Sequence, residues 1–242
     1  MTEPSGRFLC DPVLEMPGAR HGFGERGAQV PDFTVLPRQV HGIRAIRVEA
    51  RAGTADLGRG EAIEADAIVS ATPGLTVGIV TADCVPILAA SGDGSRVAAI
   101  HAGWRGLAAG VIEAGIEAMD VEASRLTAAV GPAARGCCYE VDDRVAEALA
   151  VRYAGLLDGV LVRGRPGRYQ LDLPRLASRI LRRLGLAPDR IGAAHRLCTI
   201  CTPGPRFESY RRDGREAGRL LHFIGPAARS TFPESGLARP EG

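Results

Sequence analysis

Apolar residues along this chain fall into short runs separated by Gly-, Pro- and Asp-containing breaks. The most informative stretch is Thr81 to Gly106. It reads T-A-D-C-V-P-I-L, then a turn at S-G-D-G, then V-A-A-I-H-A-G-W-R-G. Two apolar runs around a Gly-containing turn predict a hairpin or a pair of adjacent strands. In an antiparallel pair the start of one strand lies beside the end of the next. Cys84, at the head of the first run, is therefore expected beside His101, at the tail of the second.

Other segments are read the same way. Residues 1–40 are punctuated by Gly and Pro, and R-H-G-F-G-E-R-G (20–27) reads as a loop with His21 as a solvated loop histidine. Pro37 to Gly42 leads into a strand at 43–48, with His41 at its edge. Residues 51–64 form a polar, Gly-rich connection. Asp66 to Ser70 and Leu75 to Val80 read as strands. Leu107, Val111, Ile112, Ala114, Ile116 and Met119 make one helical stripe directly after Gly-Trp-Arg-Gly. Leu126 to Val130 predicts a strand. Asp142 or Asp143 caps a helix with Val145 and Leu149 facing inward. Tyr169 to Leu173 is a strand, Pro174 to Leu184 a helix closed by Gly185, and Arg190 to Ala194 a short strand. Strands and helices mix without strict βαβ alternation. That favours an α/β (α+β) fold with mixed β-sheets and helices packed outside them. The expected organisation is a single domain over 1–228 and a frayed tail over 229–242.

Composition narrows the chemistry. At 242 residues the chain can bury a substantial core. A net charge of +2 argues for neither nucleic acid nor a membrane surface as partner. No apolar stretch approaches the roughly 20 residues of a membrane span, and the first dozen residues lack a signal-peptide pattern. A cytoplasmic location is expected, where the six cysteines would be thiols or metal ligands. The sequence contains no Lys and no Asn. This removes Schiff-base chemistry, a complete P-loop and a Cys-His-Asn triad.

Three chemistries compete for the remaining candidates. His41, Cys84 and His101 are a possible catalytic zinc set, three N/S ligands with an open fourth position. They stand 43 and 17 residues apart, spacing that suits separate strands rather than a local finger. The same Cys84 and His101 also suit a cysteine-nucleophile hydrolase. Cys198-x-x-Cys201 with Cys137 and Cys138 is half a zinc ribbon. Adjacent cysteines chelate one ion poorly, so Cys198 and Cys201 are expected to be neither metal-bound nor disulfide-bonded. Arg105, at a helix start, suits either an anion or a structural carboxylate partner.

Q-V-H-G (39–42), T-A-D-C-V-P-I (81–87), H-A-G-W-R-G (101–106), C-Y-E-V (138–141), C-T (198–199) and S-Y-R-R-D-G (209–214) occur in that order. Together they resemble the YfiH-type laccase-domain family, also called multicopper polyphenol oxidoreductases. The resemblance implies a YfiH-like fold of mixed sheets layered between helices, and zinc ligands at His41, Cys84 and His101. It implies a purine nucleoside phosphorylase acting on inosine, guanosine or adenosine with phosphate, with adenosine deaminase and methylthioadenosine phosphorylase activity. On that reading Arg105, Arg211, Arg212 and Gln39 would bind phosphate or substrate. Asp83 would move protons, unless it is a structural residue holding its loop. The other readings are a copper-dependent polyphenol oxidase, an editing hydrolase of peptidoglycan precursors, and a non-enzymatic zinc-binding protein. Five histidines are few for a multicopper set. Family members usually carry a longer segment before Q-V-H-G than the one here, and F-F-S-Y-R-R is F-E-S-Y-R-R in this chain, with Glu208.

Overall fold

The computed structural model describes residues 5–16, 19–32, 34–49, 63–192 and 196–226. The proposed tail at 229–242 and most of the 51–64 connection lie outside them. In chain order the strands are β1 (Phe8–Leu9), β2 (Arg20–Gly24), β3 (Ala45–Val48), β4 (Ala67–Ser70), β5 (Val77–Thr81), β6 (Val85–Ser91), β7 (Val97–Ala102), β8 (Leu126–Val130), β9 (Glu140–Asp142), β10 (Leu161–Arg163), β11 (Arg168–Leu171), β12 (Ile191–Gly192) and β13 (Leu220–Gly225). The α-helices are α1 (Trp104–Ala109), α2 (Val111–Ala118), α3 (Asp143–Tyr153), α4 (Leu173–Arg183) and α5 (Tyr210–Asp213).

The hairpin expected from residues 81–106 is the centre of the molecule. β6 and β7 pair antiparallel, Val85 opposite Ala102 and Pro86 opposite His101. They lie in a six-stranded mixed sheet of order β12-β8-β6-β7-β4-β3. The period-two rule sorts their side chains into two cores. Val85, Ile87, Ala89, Ala98, Ile100 and Ala102 face the layer of helices, with Leu107, Ile112, Leu149 and Ile180. Leu88, Ala90, Val97 and Ala99 face a four-stranded sheet of order β1-β2-β13-β5, with Phe23, Ile79 and Ile224. Every residue of β6 and β7 is buried. This explains why the pair reads as continuous apolar runs rather than alternation. The α/β class with mixed sheets, as one domain, is what the sequence predicts.

Local details differ from the sequence reading. The stripe from 107 to 119 is two helices. Gly110 (φ 103°) ends α1 by donating its N–H to Gly106 and Leu107 carbonyls, and α2 starts at once after it. A left-handed residue cannot continue a helix, and glycine adopts it without a Cβ penalty. The 20–24 segment is a strand in the smaller sheet rather than a loop. His21 is buried in it and its Nε2 accepts the Asp11 N–H at 2.9 Å. The first strand after His41 begins at Ala45, later than expected. β9 and β10, which the sequence reading left out, join β11 in a small third sheet. The expected cap is there: Asp142 accepts from the Val145 N–H, while Asp172, inside the strand read over 169–173, caps the next helix by accepting from the Arg175 N–H.

Candidate metal centre

The register of the hairpin builds the site. Pro86 faces His101, so Cys84 lies two positions diagonal to His101 on the same side of the sheet. On the next strand Ala67 faces Ile100, which puts Asp66 opposite His101. The His101 N–H donates to the Asp66 carbonyl at 2.7 Å. Cys84 and Asp66 stand just outside their strands, so three polar groups collect at one end of the inter-sheet space.

His41 reaches this point from a separate turn. Its backbone is left-handed (φ 60°), and the Asp66 carboxylate holds that conformation. Asp66 accepts backbone N–H groups from His41 at 2.9 Å, Gly42 at 2.7 Å and Val40 at 3.2 Å. The same carboxylate lies 2.8 Å from His101 Nδ1. One fully buried side chain therefore positions two of the expected ligands. Asp66 was read from the sequence only as the first residue of a strand. Nothing in the local pattern set it apart from an ordinary strand-edge acid.

The donor atoms converge. One ligand atom each from His41, Cys84 and His101 lie within 4.8 Å of one another. Cys84 Sγ is 3.9 Å from His41 Nε2, and the two imidazole rings meet edge to face with centroids 4.8 Å apart. Gly103 is the floor of this cluster. A Cβ there would come 2.9 Å from Cys84 Sγ and 3.0 Å from His41 Cδ2. The triad thus fits an ion of the zinc class: two nitrogens, one sulfur, and a glycine that leaves the donors room. His101 is buried, Cys84 half-buried and His41 exposed, so the cluster opens to solvent on the His41 side.

Electrostatics agree with a ligand set. Burial pushes the Cys84 thiol up, but hydrogen bonding and charge from His101 and His41 outweigh it and bring it down to about 7. Burial pushes His101 down, yet the Asp66 carboxylate and Cys84 lift it to about 9. Asp66 itself is lowered: burial opposes ionisation, and the His101 and Gly42 hydrogen bonds overcome it. Without a metal, these opposing shifts favour a thiolate–imidazolium pairing of Cys84 with His101. An ion replacing the proton between them needs neutral His101, and Asp66 then keeps the remaining proton on Nδ1 and frees Nε2.

The other candidates are distributed around the triad. Gln39 spends both ends of its amide on Val80 of β5, donating to the carbonyl and accepting the N–H, each at 2.7 Å. Asp83 has a left-handed backbone (φ 88°) and is buried. Its carboxylate accepts the Thr199 hydroxyl at 2.6 Å, the Ser209 hydroxyl at 3.0 Å and the Arg211 N–H at 2.6 Å. Arg211 stacks its guanidinium 4.6 Å from the Tyr139 ring centroid and donates to the Glu140 carbonyl. Tyr139 is raised to about 12 by burial and by the nearby Cys84 charge. Arg212 is consumed by the fold: it bonds the Thr199, Ile200 and Phe207 carbonyls and both Asp213 oxygens. Arg105 is exposed, 4.5 Å over the Trp104 ring, and among the described residues forms no ion pair. Cys137, Cys138, Cys198 and Cys201, expected to play no joint role, come together as a second cluster.

Residues 20–227 match the family described as multi-copper polyphenol oxidoreductase laccase. The chain belongs to this family. Its relatives include a Xylella fastidiosa protein named purine nucleoside phosphorylase, 41% identical over 190 residues, which are 78% of this chain and 71% of that protein. The Escherichia coli purine nucleoside phosphorylase YfiH is 34% identical over 195 residues, 81% of this chain and 74% of its own. A protein from an unknown prokaryote named adenosine deaminase RL5 is 33% identical over 230 residues, 91% and 87% of the two chains. Among solved structures, YfiH of Bacillus licheniformis superposes with a TM-score of 0.76 at 25% identity, covering 88% of this chain and 98% of that one. YlmD of Geobacillus stearothermophilus gives 0.76 at 26% identity, covering 89% and 94%. These curated relatives are named as enzymes of purine nucleoside metabolism. Among the described residues no helix is long and apolar enough to cross a membrane.

Proposed function

We propose that the protein is a zinc-dependent purine nucleoside phosphorylase that also deaminates adenosine, with purine nucleosides and phosphate as its substrates. The observation that carries this reading is the three-donor cluster of His41, Cys84 and His101 within 4.8 Å, opening toward solvent. Two nitrogens and one thiolate leave a fourth position of a tetrahedral ion for substrate or water. A zinc ion held there supplies Lewis acidity and lowers the pKa of a coordinated water to about 7. The relatives' names support the choice of substrate.

The protein's own groups then have distinct tasks. Asp66 fixes the His101 tautomer and the His41 turn. Cys84 brings a negative charge that offsets the ion. Arg105 and Arg211 are the guanidinium groups left exposed for phosphate, since bidentate geometry suits them to it. Arg212 is assigned instead to holding its loop, and Gln39 to fastening the His41 segment onto β5. Asp83, with three donors on its carboxylate, is assigned to anchoring rather than proton transfer.

Copper oxidation of phenols is the reading the family description suggests. It is disfavoured because His21 and His222 are used inside the fold, His222 against the Thr81 hydroxyl at 2.8 Å. Too few histidines remain near the triad for several coppers. The deciding experiment is inosine phosphorolysis and adenosine deamination by metal-analysed protein, before and after chelation. Loss of both activities on chelation and their return with zinc is expected. Full turnover by metal-free protein would overturn the proposal.

A further inference from the structure

The second cysteine cluster is built by two turns from distant parts of the chain. Arg135 starts a tight turn in which its carbonyl accepts the N–H groups of Cys138 and Tyr139, both at 2.9 Å. Cys198 pairs with Ala133 through a parallel bridge, and the Thr199 N–H donates to the Ala133 carbonyl at 3.2 Å. The chain then turns through Thr199, Ile200 and Cys201, closed by the Thr202 N–H on the Cys198 carbonyl at 3.1 Å. All four sulfurs lie within 4.8 Å of one another, and Cys137 Sγ is 3.6 Å from Cys201 Sγ. All four are free thiols.

The spacing of the sulfurs marks this as a ligand set rather than a chance meeting of thiols. A tetrahedral zinc with Zn–S of about 2.3 Å needs its sulfurs about 3.8 Å apart. The observed sulfurs, all within 4.8 Å of one another with one pair at 3.6 Å, bracket that separation. The Cys198–Cys201 turn is also held from outside. Arg212 braces the same turn by donating to the Thr199 carbonyl at 3.0 Å and the Ile200 carbonyl at 3.3 Å.

We infer that Cys137, Cys138, Cys198 and Cys201 form a second metal site, a tetrathiolate centre for a divalent zinc-class ion. Each sulfur enters as a thiolate and gives up its proton; no electron is transferred. The expectation that adjacent cysteines chelate poorly fails here because Cys137 and Cys138 sit in a tight turn that directs both sulfurs to one point. The site acts as a clip. It ties the 135–139 turn, which carries Tyr139, to the 198–213 segment, which carries Arg211. Asp83, the residue preceding Cys84 of the triad, joins that segment by accepting the Thr199 hydroxyl and the Arg211 N–H.

The test separates this site from the triad. Cys84→Ser protein, which lacks the triad's only thiolate, is stripped of metal under reducing conditions and titrated with Co²⁺. It is expected to bind one equivalent, with near-ultraviolet thiolate-to-cobalt absorption of the intensity four thiolates give. Adding Cys201→Ser should abolish that band. Wild-type protein, which needs no variant to fold, should take up two equivalents of zinc. No cobalt bound by Cys84→Ser protein, a spectrum of fewer than four thiolates, or one equivalent of zinc in reduced wild type would each overturn the inference. None of these results depends on nucleoside turnover.

Discussion

Replacing Asp66 by Asn tests how the site is held, because the change keeps the shape and removes only charge and one acceptor. Asp66 is fully buried and accepts four hydrogen bonds: from Val40, His41 and Gly42 N–H groups and from His101 Nδ1. An Asn can be placed in two ways. With its oxygen toward His101 and the His41 N–H, its amino group faces the Val40 and Gly42 N–H groups, donor against donor. Two charge-assisted bonds are lost, each worth about 1.5–3 kcal/mol. With the amino group toward His101, the imidazole must carry its proton on Nε2, the nitrogen needed for the metal. Both arrangements weaken binding. Loss of such a supporting hydrogen bond typically costs about 10–100-fold in metal affinity, or about 1.4–2.7 kcal/mol. Metal-free protein should also lose about 3 kcal/mol or more of unfolding free energy. This is tolerable against a typical total of about 5–15 kcal/mol. Competition with a chromophoric chelator reads the affinity, and urea unfolding of the apo-protein reads the stability. Wild-type zinc affinity in Asp66→Asn protein would show that the carboxylate does not position the ligands.

Cys84→Ser should lose the triad's zinc together with phosphorolysis and deamination, because a serine hydroxyl stays protonated near pH 7 and binds zinc poorly; metal content and both rates on one preparation check this. Gly103→Ala, whose Cβ would meet Cys84 Sγ at 2.9 Å and His41 at 3.0 Å, should displace the donors and lower zinc affinity at least tenfold, read by the same chelator competition. In chelated protein Cys84, brought to about 7, should be alkylated by iodoacetamide with an apparent pKa near that value and be protected by added zinc; peptide mass mapping distinguishes it from the other thiols. Burial, then the charge of His101, depresses His222 to about 3 from 6.5. Between those values the unfolded chain binds a proton that the folded one does not, so stability is lost as pH falls below about 6.5, by about 1.4 kcal/mol per pH unit. His222→Gln should flatten that part of the acid limb in urea unfolding measured from pH 7 to 4, and an unchanged slope would count against a neutral buried His222.

The sequence carried the centre of the molecule and lost its edges. β6 and β7 were legible because burial on both faces leaves uninterrupted apolar runs with a turn between them, and register alone then brought Cys84 to His101. β9 and β10 were lost because a small sheet built from Glu140–Asp142 and Leu161–Arg163 has no apolar period to read. The single helix expected over 107–119 failed at Gly110, where one left-handed residue interrupts an unbroken stripe. Asp66 was missed for a different reason. Its role depends on three backbone amides of a turn some two dozen residues earlier, and no local pattern records such a contact. The four-cysteine cluster was dismissed on sequence spacing, yet the deciding distances are set by two turns that meet only in the folded chain.

Asp83 shows how the geometry reassigns a residue that chemistry alone would place at the reaction. An acid beside a metal-binding cysteine invites a proton-transfer role. A left-handed backbone at Asp83 (φ 88°), however, turns consecutive side chains away from the alternation of a strand. Cys84 goes to the triad, and the Asp83 carboxylate goes to Thr199, Ser209 and Arg211. Left-handed conformation at a non-glycine residue is costly and persists when surrounding contacts over-determine it. Here three hydrogen bonds to a buried carboxylate do so. This strained link ties the 198–213 segment to the residue that precedes Cys84. Asp83→Asn should therefore weaken metal binding at the triad and lower unfolding stability together. If the residue instead only moved protons, zinc affinity would stay at the wild-type value while deamination alone fell.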